Sequence, residues 1–303
     1  MDKARVLIAG GSGLIGSRLS VLLQQAGYEV RHLSRTVTGK EPFPTFRWDA
    51  MKGALDTQAL EGVSHIINLA GAGIADGRWT ESRKQVIIES RVKAAQTLKN
   101  HLDPTRIKSY IAAAAIGLYG DRGEEWVDED SRPGEGFLTE SCLAWEAAAR
   151  SVAEVGVRMA ALRIGLVLST QGGALPKIAQ PAQWYAAVYF GDGRQWYSWI
   201  HLDDLCRMFL FLMKNEQQTG FYNAVGPQPE RCKTLVSAVA KTIKKEGITL
   251  PAPAFALRLA LGEMADTVLY STRVSCDKVQ AAGFKFEFPE LENALTDLYQ
   301  RKV

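Results

Sequence analysis

Apolar positions come in long blocks through the first half of this chain and in short, glycine-broken pieces through the second. Arg5-Val6-Leu7-Ile8-Ala9 is an aliphatic run of strand length. Its lack of polar alternation predicts a strand covered on both faces. Leu14, Ile15, Leu19, Leu22 and Leu23 then recur at helical spacing. The alternation continues, predicting strands over 29–34, 46–49, 63–70, 109–115 and 157–168 and helices over 55–60, 81–102 and 139–155. Four consecutive alanines, 112–115, favour helix by propensity, but they follow an αβ turn and precede Gly117-Leu118-Tyr119-Gly120, so a strand is expected. Strands alternating with helices imply a parallel sheet covered on both sides.

Past residue 170, Gly172-Gly173, Pro176, Pro181 and Gly191-Asp192-Gly193 cut the chain into pieces. A helix is expected from 201, capped by Asp203 or Asp204. A strand follows over 220–225, with helices over 234–246, 251–262, 275–283 and 291–300. The predicted architecture is α/β, a Rossmann-type doubly wound parallel sheet with a smaller C-terminal α/β lobe. Residues 1–168 form the nucleotide-binding domain, with 200–226 returning to it. Residues 169–199 and 227–303 form the lobe.

Between the first strand and the first helix lies Gly10-Gly11-Ser12-Gly13-Leu14-Ile15-Gly16, a GxxGxxG turn. Gly10 lets the chain leave the strand sharply, Gly13 lets backbone N–H groups approach a pyrophosphate, and Gly16 lets the helix pack closely on the sheet. The helix start adds unpaired donors and the positive end of its dipole. A glycine triplet alone is also an ordinary βα turn; the strand before and amphipathic helix after point to dinucleotide binding.

The second strand ends Leu33-Ser34-Arg35 with no carboxylate to hold an adenosine ribose. A guanidinium there suits a 2′-phosphate, which favours NADP (NADPH) over NAD; the alternative is a solvated loop arginine. Asp49 is either an acceptor for the adenine amine or a turn aspartate. Asn68-Leu69-Ala70-Gly71 closes a strand with small residues, as a cofactor lying across the sheet edge requires. Ser90 and Arg91, midway along a helix, can each face the cofactor. Trp184, Tyr185, Tyr189, Phe190, Trp196, Tyr197 and Trp199 crowd one region. They pack the lobe, or they wall a substrate pocket with Arg194, Gln195 and His201 as polar handles.

Composition narrows the partners. The chain has 303 residues, 47% hydrophobic and 23% charged, with a net charge of +3 spread over both signs. This gives no case for nucleic acid. No apolar run is long enough to span a bilayer, and the start enters a strand with no leader pattern. Cys142, Cys206, Cys232 and Cys276 lack metal-ligand spacing. A reduced, metal-free cytoplasmic protein is expected.

The chain resembles the extended (atypical) short-chain dehydrogenase/reductases, within the NAD-dependent epimerase/dehydratase group. It is most similar to uncharacterised epimerase-family proteins labelled nucleoside-diphosphate-sugar epimerases. The resemblance is carried by Gly10 to Gly16, Asn68 to Gly71, Arg78-Trp79, Ser90-Arg91 and Gly117 to Gly120. Trp145-Glu146, Arg163-Ile164-Gly165, Ser198-Trp199-Ile200-His201 and Gly283-Phe284 add to it. It implies a Rossmann core, an NADP preference carried by Ser34 and Arg35, and a lobe covering a pocket. It also implies a possible homodimer through the helices over 81–102 and 139–155, where Ala147-Ala148-Ala149 would allow close packing.

Working members of the group use a serine, and a tyrosine four residues before a lysine, for proton transfer. Those positions here fall in the alanine run 112–115, with Ala114 for the serine, and at Leu138 and Cys142. Tyr119 is a weak substitute that more readily packs in its turn, and Cys142 reads as a small buried residue rather than a reactive thiolate. The candidate cofactor set is Gly10, Gly11, Ser12, Gly13, Leu14, Ile15, Gly16, Ser34, Arg35, Asp49, Leu69, Ala70, Gly71, Arg91 and Arg163. The candidate substrate pocket is Tyr119, Arg194, Gln195, Trp199 and His201. Two functions are compatible with this: an NADP-dependent epimerase-like or oxidoreductase-like protein acting on a small, sugar-nucleotide-like substrate, or a catalytically silent NADP(H) sensor.

Overall fold

A computed structural model describes residues 3–243 and 247–300. Eight strands form the central sheet: β1 (Arg5–Ala9), β2 (Glu29–Ser34), β3 (Thr45–Asp49), β4 (Ala54–Leu55), β5 (Val63–Asn68), β6 (Ser109–Ala115), β7 (Met159–Ile164) and β8 (Gly220–Ala224). Their spatial order is 8-7-6-5-1-2-3-4. Neighbours are parallel except for the β3–β4 hairpin at one edge. The order reverses at β1, between β5 and β2, which is where ligands of such sheets bind. The fold is Rossmann-type.

The alternation of a strand explains the two-sided core. On β1, Val6 and Ile8 enter one hydrophobic cluster with Leu19, Leu23, Leu205 and Phe209. Leu7 and Ala9 enter the opposite cluster with Ala94, Leu98 and Ala149. The first cluster lies under α1 (Leu14–Gln25) and α4 (Leu202–Lys214), the second under α2 (Glu81–Lys99) and α3 (Phe137–Arg150). The alanine run on β6 is divided the same way: Ala113 on one face, Ala112 and Ala114 on the other. Small side chains there admit the helices that cover both faces.

A third cluster, with Leu175, Trp199, Leu235, Val239 and Leu295, forms the core of the lobe. It surrounds α5 (Cys232–Thr242) and α7 (Leu291–Gln300), with α6 (Ala254–Leu261) between them in the chain. No helix among the described residues is long and apolar enough to cross a membrane. All four cysteines are buried and unpaired, and no metal-binding group occurs among the described residues.

Several expected elements differ. Residues 55–60 hold the end of β4 and a 3-10 turn, Thr57–Leu60, rather than a helix. The strand expected over 157–168 breaks at Gly165, where a Cβ would overlap Ser198 O and lie 2.7 Å from Val225 Cγ1. Leu166–Leu168 then pair with Trp199–His201 instead of the sheet. Residues 248–252 form a strand before α6. The helix of 234–246 is Cys232–Thr242; residues 244–246 lie outside the described residues. The three alanines at 147–149 do not share an outward face, since Ala148 and Ala149 are buried. The cap of α4 is His201, whose Nδ1 accepts from Asp203 N at 3.0 Å, not an aspartate.

Candidate functional site

The glycine turn occupies the carboxyl end of β1, where the strand order reverses. Gly10 has φ +84°, a conformation that costs glycine little, and a Cβ on it would press on Leu69 C at 3.0 Å. A Cβ at Gly16 would lie 2.7 Å from Gly11 Cα and overlap Gly10 O. Gly16 therefore packs the helix against the turn itself rather than against the sheet. Around Gly13 only Gly10 O, at 3.4 Å, lies near a built Cβ, so that position opens outward. Gly13 is also the N-cap of α1, with no side-chain cap. The first-turn N–H groups are thus left for an external acceptor.

These residues line a cavity of about 320 Å³ with Leu14, Ile15, Leu69, Gly165, Leu166, Val167, Gly173 and Ala174. The break at Gly165 supplies its far wall. An uncapped helix start facing an open cleft, with a glycine where a side chain would intrude, fits a dinucleotide pyrophosphate. Leu166, Val167 and Ala174 carried no assigned role in the sequence; Gly165 was read only as part of the family resemblance and Gly173 only as a breaker.

A residue not foreseen supports the turn from below. A Cβ on Gly11 would run into the His32 ring. His32 Nε2 lies 2.7 Å from Ser20 Oγ, which also meets Gly16 O at 2.7 Å. Burial lowers the His32 pKa to about 4, so the imidazole under the turn is neutral at ordinary pH.

Around the cleft the expected residues divide. Asn68 Oδ1 accepts from Ala70 N at 3.1 Å, holding the crest from which Leu69, but not Ala70, lines the cavity. Gly71 carries the Arg91 side chain, whose Cγ would touch a Cβ there at 3.0 Å. The Arg91 guanidinium stacks on the Trp145 ring, 4.8 Å from its centroid. Ser90 Oγ accepts from Ala72 N at 2.9 Å, so it serves the crest itself. Ser34 is half-buried and Arg35 is exposed at the end of β2. Asp49 accepts from Met51 N at 3.1 Å as the cap of a 3-10 turn.

Arg163 does not line the cavity. It is buried on β7 in a two-pronged ion pair, Nε to Glu146 Oε1 at 2.7 Å and Nη2 to Oε2 at 3.0 Å. Its Nη1 donates to Tyr119 Oη at 2.9 Å and to Glu129 O at 3.0 Å. Burial is the largest influence and opposes the charge, but Glu146 and Tyr119 together outweigh it and hold the arginine above its ordinary pKa. Tyr119 Oη in turn donates to Asn223 Oδ1 at 2.7 Å. Fully buried, its pKa pushed up to about 12, this phenol is a core group with no path to a substrate.

The expected substrate pocket disperses. Trp199 is fully buried in the lobe core. Gln195 Nε2 donates to Phe190 O and Val268 O. His201 caps α4, lies 3.2 Å from Asp297 Oδ2 and stacks on Phe288. All three pack against residues far along the chain and are structural. Arg194 alone is exposed, on a surface depression with Asp192, Arg231, Lys233, Thr234 and Ser237 that shares no residue with the glycine cleft.

Of the three positions expected to carry the group's proton chemistry, Leu138 and Cys142 lie together beside Gly117. A Cβ on Gly117, just beyond β6, would meet Cys142 Sγ at 3.5 Å and Leu138 Cβ at 3.6 Å. Burial, then Glu146, push the Cys142 thiol up to about 12. Ala114, Leu138 and Cys142 therefore offer no acid or base near neutral pH.

Known proteins are similar to this chain in sequence and fold. The NAD dependent epimerase/dehydratase family model matches residues 6–225, and a domain of unknown function, DUF1731, matches 252–298. An epimerase family protein of Mycobacterium leprae is 34% identical over 296 residues, 97% of this chain and 95% of that protein. The crystal structure of human epimerase family protein SDR39U1 with NADPH superposes with a TM-score of 0.88 at 27% identity, covering 98% of this chain and 100% of that one. A nucleoside-diphosphate sugar epimerase from Corynebacterium glutamicum gives a TM-score of 0.79 at 30% identity, over 98% of this chain and 58% of that chain.

Proposed function

The chain belongs to the NAD dependent epimerase/dehydratase family, and from that premise we propose that it binds NADPH in preference to NADH in the glycine cleft and works on a small substrate beside it. The observation that carries this is the turn itself: an uncapped α1 start at Gly13 opening on the 320 Å³ cavity. Arg35 supports the choice of NADPH. It is exposed at the end of β2 with no hydrogen bond or ion pair among the described residues, and the human relative was crystallised with NADPH. The turn residues and Leu69 would hold the pyrophosphate, and Arg35 with Ser34 the 2′-phosphate. The nicotinamide supplies hydride chemistry when bound. What this chain adds is a dry, largely apolar reaction end, and any proton exchange there passes through a group other than the usual tyrosine and lysine.

A second reading is favoured by one observation, the inert Ala114, Leu138 and Cys142. In it the protein is an NADP(H) sensor that performs no turnover. Titration with NADPH and NADH, followed by nicotinamide fluorescence, tests the shared premise; failure of both to bind at millimolar concentration overturns it. NADPH oxidation by carbonyl compounds from a metabolite extract then separates enzyme from sensor. The buried, unpaired cysteines suit a reducing compartment such as the cytoplasm.

A further inference from the structure

Arginines inside this protein normally have their charge answered. Arg163 has Glu146, Tyr119 and a carbonyl. Arg18 grips Asp203 through two nitrogens at 2.6 and 2.8 Å. Arg158 donates to the carbonyls of Leu212, Met213, Asn215 and Gln218. Arg91 is different. It is half-buried, and among the described residues it has no carboxylate partner and one hydrogen bond, Nη1 to Ile87 O at 2.9 Å. Burial lowers its pKa, a sign that the charge sits where water answers it poorly. Nε and Nη2 take no acceptor, yet unlike Nε of Arg158 and Arg273 they are not sealed off. A guanidinium fixed by Trp145 behind it, with its Nε–Nη2 edge open, is preorganised for a two-pronged bond to a carboxylate.

Its place gives this edge a role. The side chain lies across Gly71, two residues past Leu69, which lines the cleft. Trp145, on which it stacks, is one helical turn from Cys142 on α3. A cation delivered from α2 thus stands in the neighbourhood where the usual lysine of α3 is missing. We infer that Arg91 is the substrate-recognition residue of this cleft and that it takes the carboxylate of a small carboxylate-bearing substrate. This rests on the cleft being the reaction site proposed above, and it names the class of molecule held there.

The test uses oxamate, a two-carbon carboxylate, titrated into the full chain with and without saturating NADPH. Tryptophan fluorescence reports binding, because Trp145 touches the guanidinium; Trp145→Phe assigns the signal. The expected result is saturable quenching in the wild type, at least tenfold weaker binding in Arg91→Met, and an intermediate value in Arg91→Lys, which keeps the charge but loses the fork. Acetamide, uncharged, should not quench. Absence of saturable quenching in the wild type overturns the inference, as does equal oxamate affinity in Arg91→Met. NADPH affinity falling in parallel with oxamate affinity also overturns it, since residue 91 would then be a cofactor ligand. If NADPH fails to bind while oxamate still depends on residue 91, the cofactor reading falls and this one stands.

Discussion

The two ends of the cleft are built from different materials. At the glycine turn the backbone makes the site, and side chains matter by being absent: Gly10, Gly13 and Gly16 each occupy a position that a Cβ would strain, fill or block. At the proposed reaction end side chains would make the site, and the positions expected to do proton chemistry hold Ala114, Leu138 and Cys142. Backbone geometry is held by the whole fold and survives most substitutions elsewhere. A reactive side chain disappears with one codon. A family can therefore keep its nucleotide cleft while its chemistry drifts.

The comparison can be broken in order of effect. Glu146→Ala leaves the Arg163 charge buried beside Tyr119, and breaking such a pair costs about 3–5 kcal/mol. Urea unfolding should show that loss; a change under 1 kcal/mol would mean the network behind the reaction end does not hold it in shape. Gly16→Ala should cost about 1–3 kcal/mol by overpacking on Gly10 and Gly11, and should weaken NADPH at least tenfold. Retained affinity would show that the turn tolerates what its backbone forbids on paper.

Arg35→Ala should weaken NADPH by about tenfold to a hundredfold, the worth of a bond to a charged group, and leave NADH nearly unchanged. Equal losses for both nucleotides would remove the 2′-phosphate from the picture. A subtler signal comes from His32, whose folded pKa of about 4 lies below its ordinary 6.5. Between those values the unfolded chain takes up a proton that the folded one refuses. Stability therefore falls as pH drops from 6.5 towards 4, by about 1.4 kcal/mol per unit at most for this group. His65, also lowered to about 4 by burial, adds a similar slope. His32→Gln should flatten the profile by one imidazole's share; an unchanged slope would place the titrating groups elsewhere. The smallest effect is expected at Cys142, which iodoacetamide should leave unmodified in the folded protein at pH 8. Rapid alkylation would return a nucleophile to the reaction end.

What could be read from the residues was what local pattern controls. The β1 run, the glycine turn and the final helix Leu291–Gln300 stand where hydrophobic spacing puts them. The alanine strand was legible only because its position overrode its propensity. Side-chain fate was not legible where it depends on distant partners. His201 meets Asp297, Gln195 meets Val268 and Arg163 meets Tyr119. Nothing near those residues in the chain distinguishes a buried structural group from a polar handle in a pocket. The break at Gly165 was hidden for the same reason, because Ser198 and Val225 force it. Arg91 was visible as a candidate, but that its charge has no carboxylate partner among the described residues is a three-dimensional fact.

That break has a mechanical consequence. Through Gly165 one segment of chain leaves the large sheet and, within three residues, becomes half of a short ladder with Trp199–His201. The wall of the cleft is therefore a splice between the two parts of the molecule. Its setting is governed by a three-rung register: a slip of one residue would turn Leu166 and Val167 over together, exchanging the side chains that face the cavity for those that face away. Substitutions around Trp199, which pairs with Leu166, therefore reach the wall of the cleft through this register.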